Sequence, residues 1–105
     1  MKENQNIEWK ESWRDEYLKW ICGFANADGG SLFIGIDDTG KIVELKNIKK
    51  ILDDIPNTII NTLNIFAEVK HKQLNQGEYI EIIVEPYPIP ISYKGTYYKR
   101  IGATN

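Results

Sequence analysis

Carboxylates stand where they could support a metal-assisted reaction. Asp37 and Asp38 are adjacent, and Glu3 and Glu8 lie before and within the first expected strand. Hard divalent cations prefer carboxylate oxygen. A metal-assisted phosphodiesterase needs a cluster of such groups to hold the ion that activates water and steadies the departing oxygen. The aspartate pair gains weight only if other carboxylates converge on it, and the strand bearing Glu8 could run beside residues 31–36. The competing reading of Asp37-Asp38-Thr39-Gly40 is a polar hairpin turn with Asp at its favoured positions.

A second chemistry is written in Tyr93-Lys94-Gly95-Thr96-Tyr97-Tyr98-Lys99-Arg100, which interleaves aromatic and basic residues. On a hairpin, Tyr98 and Arg100 share one face, and Tyr97 and Lys99 share the other. Stacking rings beside a phosphate-pairing guanidinium suit single strands or RNA. A strand of half-buried tyrosines with its bases in water fits the same residues, and both readings stay open.

Other chemistries are disfavoured. Gly29-Gly30 closes a helix and opens a strand, so the helix end facing it is the negative one, and no P-loop Lys-Ser/Thr follows. Structural zinc needs about four converging ligands, whereas His71 is the only histidine and Cys22 the only cysteine. Ser12 and Ser31 have no evident base partner. Cys22, on an apolar helix face, and Trp9, Trp13 and Trp20 are expected to pack.

The elements that must position these groups follow from periodicity. Residues 1–6 are polar and expected to be loose, and Ile7-Glu8-Trp9-Lys10 alternates as a strand. Ser12, with Asp15 three residues on, predicts a capped helix over about 13–26. Asn26 to Gly30 should end it, since Asn and Gly tolerate the left-handed backbone of a C-terminal cap. Ser31–Ile36 reads as a central strand, with a turn at 37–40 and a return strand from Lys41 to Val43. Ile48, Ile51, Leu52, Ile55, Ile59, Ile60 and Leu63 define a helix face capped by Asn47, with a kink or a fresh start expected at Pro56. Strands are expected at 66–74 and 79–85, then an extended Pro86–Pro90. A last hairpin is expected, with Ile91–Tyr93 and Tyr97–Ile101 as its limbs. The pattern predicts an α+β fold: one mixed, mostly antiparallel sheet with two helices on one face.

The chain has 105 residues, enough for one domain with one core. No apolar run approaches the roughly 20 residues that span a bilayer, and Met-Lys-Glu-Asn-Gln-Asn lacks the apolar segment of a signal peptide. A single cysteine agrees with a reducing compartment, so a cytoplasmic location and no membrane contact are expected. The net charge of −2 argues against strong autonomous nucleic-acid binding, which draws on phosphate contacts. The distribution softens this. Residues 1–64 hold eight basic and eleven acidic side chains, whereas residues 86–105 hold Lys94, Lys99 and Arg100 and no acid. Because the chain stops soon after an expected strand, it is expected to be a fragment of a longer protein.

Ile7-Glu8-Trp9-Lys10-Glu11-Ser12, Phe24-Ala25-Asn26-Ala27-Asp28-Gly29-Gly30, Phe33-Ile34-Gly35-Ile36-Asp37-Asp38-Thr39-Gly40 and Tyr97-Tyr98-Lys99-Arg100-Ile101-Gly102 together resemble the Schlafen AlbA-like domain family. The resemblance runs from residue 7 to 102, with Trp9 where the family usually has Phe. It implies an Alba-like α+β sandwich, often the N-terminal domain of bacterial transcriptional regulators. ATP-binding labels exist in the family, but no Walker motif here supports ATP. Some vertebrate members cut tRNA and rRNA at a three-carboxylate site, which matches Glu3, Glu8 and Asp38, while Lys10 matches the motif lysine. Those nucleases pair two such domains into a basic groove, so a homodimer or a basic partner would be needed here.

The sequence therefore predicts a DNA- or RNA-binding module, residues 1–105, N-terminal to a further C-terminal domain of the same parent chain. Lys10, Lys94, Tyr98, Lys99 and Arg100 are its expected nucleic-acid contacts, with no cofactor. The alternatives are a ribonuclease using Mg or Mn at Glu3, Glu8 and Asp38, and a structural dimerisation module.

Overall fold

Strand β1 (Ile7–Lys10) forms where the alternating pattern places it, and it pairs in parallel with β2 (Gly30–Ile34). Antiparallel β4 (Gly77–Val84) lies on the other side of β2, and β3 (Glu68–Leu74) completes the order β1-β2-β4-β3. Helix α1 (Leu18–Ala25) links β1 to β2, and α2 (Ile48–Leu63) precedes β3. The computed structural model describes residues 3–102. The residues expected to be loose include Met1 and Lys2, which lie outside the described residues, as do Ala103, Thr104 and Asn105.

The helices cover one sheet face. Leu18, Ile21, Cys22 and Ala25 of α1 and Ile55, Ile59 and Leu63 of α2 bury against Leu32, Ile34, Ile80, Ile82 and Val84. A smaller cluster of Trp9, Phe33 and Ile36 occupies the opposite face. The expected α+β fold, with two helices and one mixed sheet, is the observed one.

Several local expectations are corrected. The first helix begins later than Trp13. A 3-10 turn at Asp15–Tyr17 precedes α1, and Asp15 accepts a bond from Trp13 Nε1 at 3.1 Å instead of completing a capping box with Ser12. Asn47 takes a left-handed backbone (φ 56°) and makes no side-chain cap. Helix α2 runs through Pro56 unbroken. Its apolar face is buried on both sides of the proline, at Ile55 and at Ile59 and Leu63, so core packing outweighs one missing backbone donor.

The expected return strand at 41–43 is reduced to a bridge between Ile36 and Ile42. Of the last hairpin, the Tyr93–Thr96 pair around Lys94-Gly95 forms as expected. Its second limb bonds instead to the end of α1, where Arg100 N–H donates to Gly23 O at 3.0 Å, and in the preceding extended stretch Tyr87 N–H donates to Ala25 O at 2.8 Å. Asn26 holds this segment together. Its Nδ2 donates to the carbonyls of Ile91 and Tyr98, both at 2.7 Å, while its Oδ1 accepts from Ile91 N–H at 2.7 Å. Cys22 packs in the core and donates its thiol to Ile91 O.

Candidate nucleic-acid interface

Alternation on β1 sends Glu8 and Lys10 to the helix-covered face and Trp9 to the other. Beside α1, Glu8 is 5% exposed and its carboxylate takes two cations: Arg100 Nη2 at 2.8 Å and Lys10 Nζ at 3.3 Å. The Arg100 guanidinium lies against the rings of Trp20 and Phe24, 5.0 and 5.2 Å from their centroids. The same Nη2 donates to the backbone carbonyls of Asn4 and Ile7. Arg100 Nε and Nη1 are buried without a hydrogen-bond partner among the described residues, so the ring faces supply part of the compensation. Lys10 Nζ also sits over Tyr17 and Trp20, at 5.0 and 4.9 Å.

These contacts correct two expected site residues. Arg100 is 1% exposed and bound to Glu8, so it presents no charge to an outside polyanion. Lys10 is mostly covered and committed to Glu8 and two rings. Strand β1 is an edge strand, whose outward backbone groups need partners. Arg100 supplies one at Ile7 O, and the Glu3 carboxyl supplies another at Trp9 N–H, 3.4 Å away.

Glu3 lies beside Glu8. Its carboxyl is held above the usual range, first by burial and then by the Glu8 side chain, and Asp38 adds repulsion. Glu8 and Asp38 thus both act on Glu3, yet no three acidic, His or Cys side chains among the described residues are placed to hold a cation. Two protein cations already occupy Glu8. This donor set as it stands does not fit a divalent ion. Asp37 serves its turn: its carboxylate accepts from Thr39 N–H, Thr39 Oγ1 and Lys41 N–H. The Thr39 hydroxyl and then the Lys41 N–H hold it below the ordinary aspartate range.

Lys94, Tyr97 and Lys99 are exposed, and Tyr98 is half-buried against Tyr93. The face assignment of the last segment holds, since Arg100 turns inward while Tyr97 and Lys99 turn outward. A groove of about 420 Å³ lies beside them, lined by Asn26, Tyr87, Pro88–Pro90, Tyr97, Tyr98 and Lys99. Sequence reasoning did not place Asn26 or Tyr87 in a site. The available signal was Tyr87 between two prolines in a stretch without acids. A larger hollow of about 620 Å³ beside Trp13, Leu45 and Asn47 gathers none of the candidate residues.

Among the described residues, no helix is long and apolar enough to cross a membrane. The family model described as Schlafen, AlbA_2 matches residues 3–105. No curated protein matches the chain. The chain is similar in structure to the DIP2311 protein of Corynebacterium diphtheriae, with 22% identity and a TM-score of 0.74 over 94% of this chain and 24% of that one. It thus spans about a quarter of that protein's length. It is also similar to the N-terminal domain of a RecG-related protein of Nitrosomonas europaea, with 24% identity and a TM-score of 0.70 over 94% of this chain and 80% of that one. At these identities the likeness is one of fold.

Proposed function

Because the chain belongs to the Schlafen AlbA_2 family, we propose that it is the nucleic-acid-binding module of a bacterial transcriptional regulator, placed ahead of a further C-terminal region. The observation that carries this reading is the pair of exposed lysines, Lys94 in the turn and Lys99 after it, set in a stretch from residue 86 onward that has no acid. Lysines exposed to water lose little on binding phosphate and release counterions from the polymer. Arg100 and Lys10 have no part in the contact. A homodimer would set two such turns on one polymer, and sedimentation checks it.

Binding to DNA and RNA should be strong in low salt and should weaken steeply as salt rises. Lys94→Ala with Lys99→Ala should lower the slope of log affinity against log salt by roughly 1.4–1.8, the share of two phosphate contacts. Binding that ignores salt, or no binding in low salt, removes the reading. Transfer RNA incubated with the protein and Mg²⁺ or Mn²⁺ should stay intact. Cleavage that disappears in both Glu8→Ala and Asp38→Ala would establish the ribonuclease instead.

A further inference from the structure

Three prolines, Pro86, Pro88 and Pro90, keep the chain after β4 extended and out of the sheet. It crosses the end of α1 and comes back along residues 97–99, both limbs tied down by Asn26. The space between them is the 420 Å³ groove, within the size range of ligand sites. Two of its rings are held in place. Tyr87 OH accepts from Phe66 N–H at 2.9 Å and donates to Phe66 O at 3.3 Å, and Tyr98 lies against the Tyr93 ring. The third, Tyr97, is 66% exposed, and Ile89 beside it is 63% exposed. Lys99 lines the groove and Lys94 lies in the preceding turn.

We infer that this groove takes unpaired nucleotides of a single-stranded nucleic acid, a reading that rests on the nucleic-acid-binding role proposed above. Tyrosine rings offer flat faces on which any base stacks, and fixed rings lose little freedom on binding. The charge selects the occupant. The segment from residue 86 to 105 has bases and no acid in a chain whose net charge is −2, so it complements a polyanion. A proline-rich peptide would use the rings but not the lysines. A duplex would meet the lysines, but its stacked bases offer no face to Tyr97.

The test is fluorescence anisotropy in low salt, with a 12-nucleotide single strand and the corresponding duplex as probes. The single strand should bind more tightly. Tyr97→Ala should weaken it by about tenfold or more while leaving duplex binding unchanged. Lys99→Ala should weaken both. Tyr97 is exposed, so an unchanged melting temperature will confirm that its variant folds. If Tyr97→Ala leaves single-strand binding intact while Lys94→Ala and Lys99→Ala still reduce it, the groove inference fails and the nucleic-acid role stands. If neither probe binds, both fail. A proline-rich peptide that binds through Tyr97 while the single strand does not would replace the nucleotide with a peptide ligand.

Discussion

The Arg100 guanidinium donates to the Glu8 carboxylate at 2.8 Å, and its side chain is wholly enclosed. The contact joins residues 92 positions apart, binding the last part of the described chain to the first strand. It converts what looks like a surface phosphate contact into an internal brace.

Removing the arginine leaves a buried carboxylate with only Lys10 to face it. Arg100→Ala should therefore cost about 3–5 kcal/mol of folding stability, measured by urea denaturation. Replacing both partners with uncharged groups of similar shape, Glu8→Gln with Arg100→Met, should recover much of the loss. If Arg100→Ala keeps full stability and loses only nucleic-acid affinity, the brace is wrong and the surface role returns.

Glu3 supplies a pH dependence of definite sign. Burial and the neighbouring Glu8 and Asp38 raise its folded-state value above that of the unfolded chain. The stability it contributes is full below the unfolded value and is lost as pH rises through the folded one. Glu3→Gln, which keeps the shape without the charge, should melt higher than the parent at neutral pH. The gap should close as the solution is acidified below the ordinary carboxylate range. Parallel melting curves with no pH-dependent gap would rule this out.

The paired glycine is a packing device. Gly29 has φ +79°, and a Cβ there would lie 2.6 Å from Val84 O. A Cβ on Gly30 would lie 2.6 Å from the Phe24 ring and 2.7 Å from Asn6 O. Gly95 has φ +80° but open space around it. Gly29→Ala should cost about 2–5 kcal/mol, Gly30→Ala about 1–3 and Gly95→Ala about 1–2, because only the first combines backbone strain with a clash. Chemical denaturation of the three variants checks the order.

What could be read in the sequence was local or periodic. The alternation of β1 and β4, the face of α2 from Ile48 to Leu63, the turn at Asp37 and the opposite facing of Lys99 and Arg100 all depend on spacing along the chain, but which of those two faces turns inward does not. The packing of Cys22 was legible for the same reason. Where a neighbour distant in sequence competed, local signals lost: Pro56 was overridden by core packing, and the limbs of the last hairpin bonded to the end of α1. The capping box failed to a nearer rival, since Asp15 bonded to Trp13 two residues away.

The sequence by itself determined the α+β class, the family and the acid-free lysine and tyrosine stretch, since composition, periodicity and motif order belong to the chain as written. Only the tertiary structure decided which bases face water. A cation is available outside only if no buried carboxylate captures it first. Glu8 captures Arg100 and Lys10 because β1 places it between them and α1 closes over the group, whereas no such partner meets Lys94 and Lys99 among the described residues.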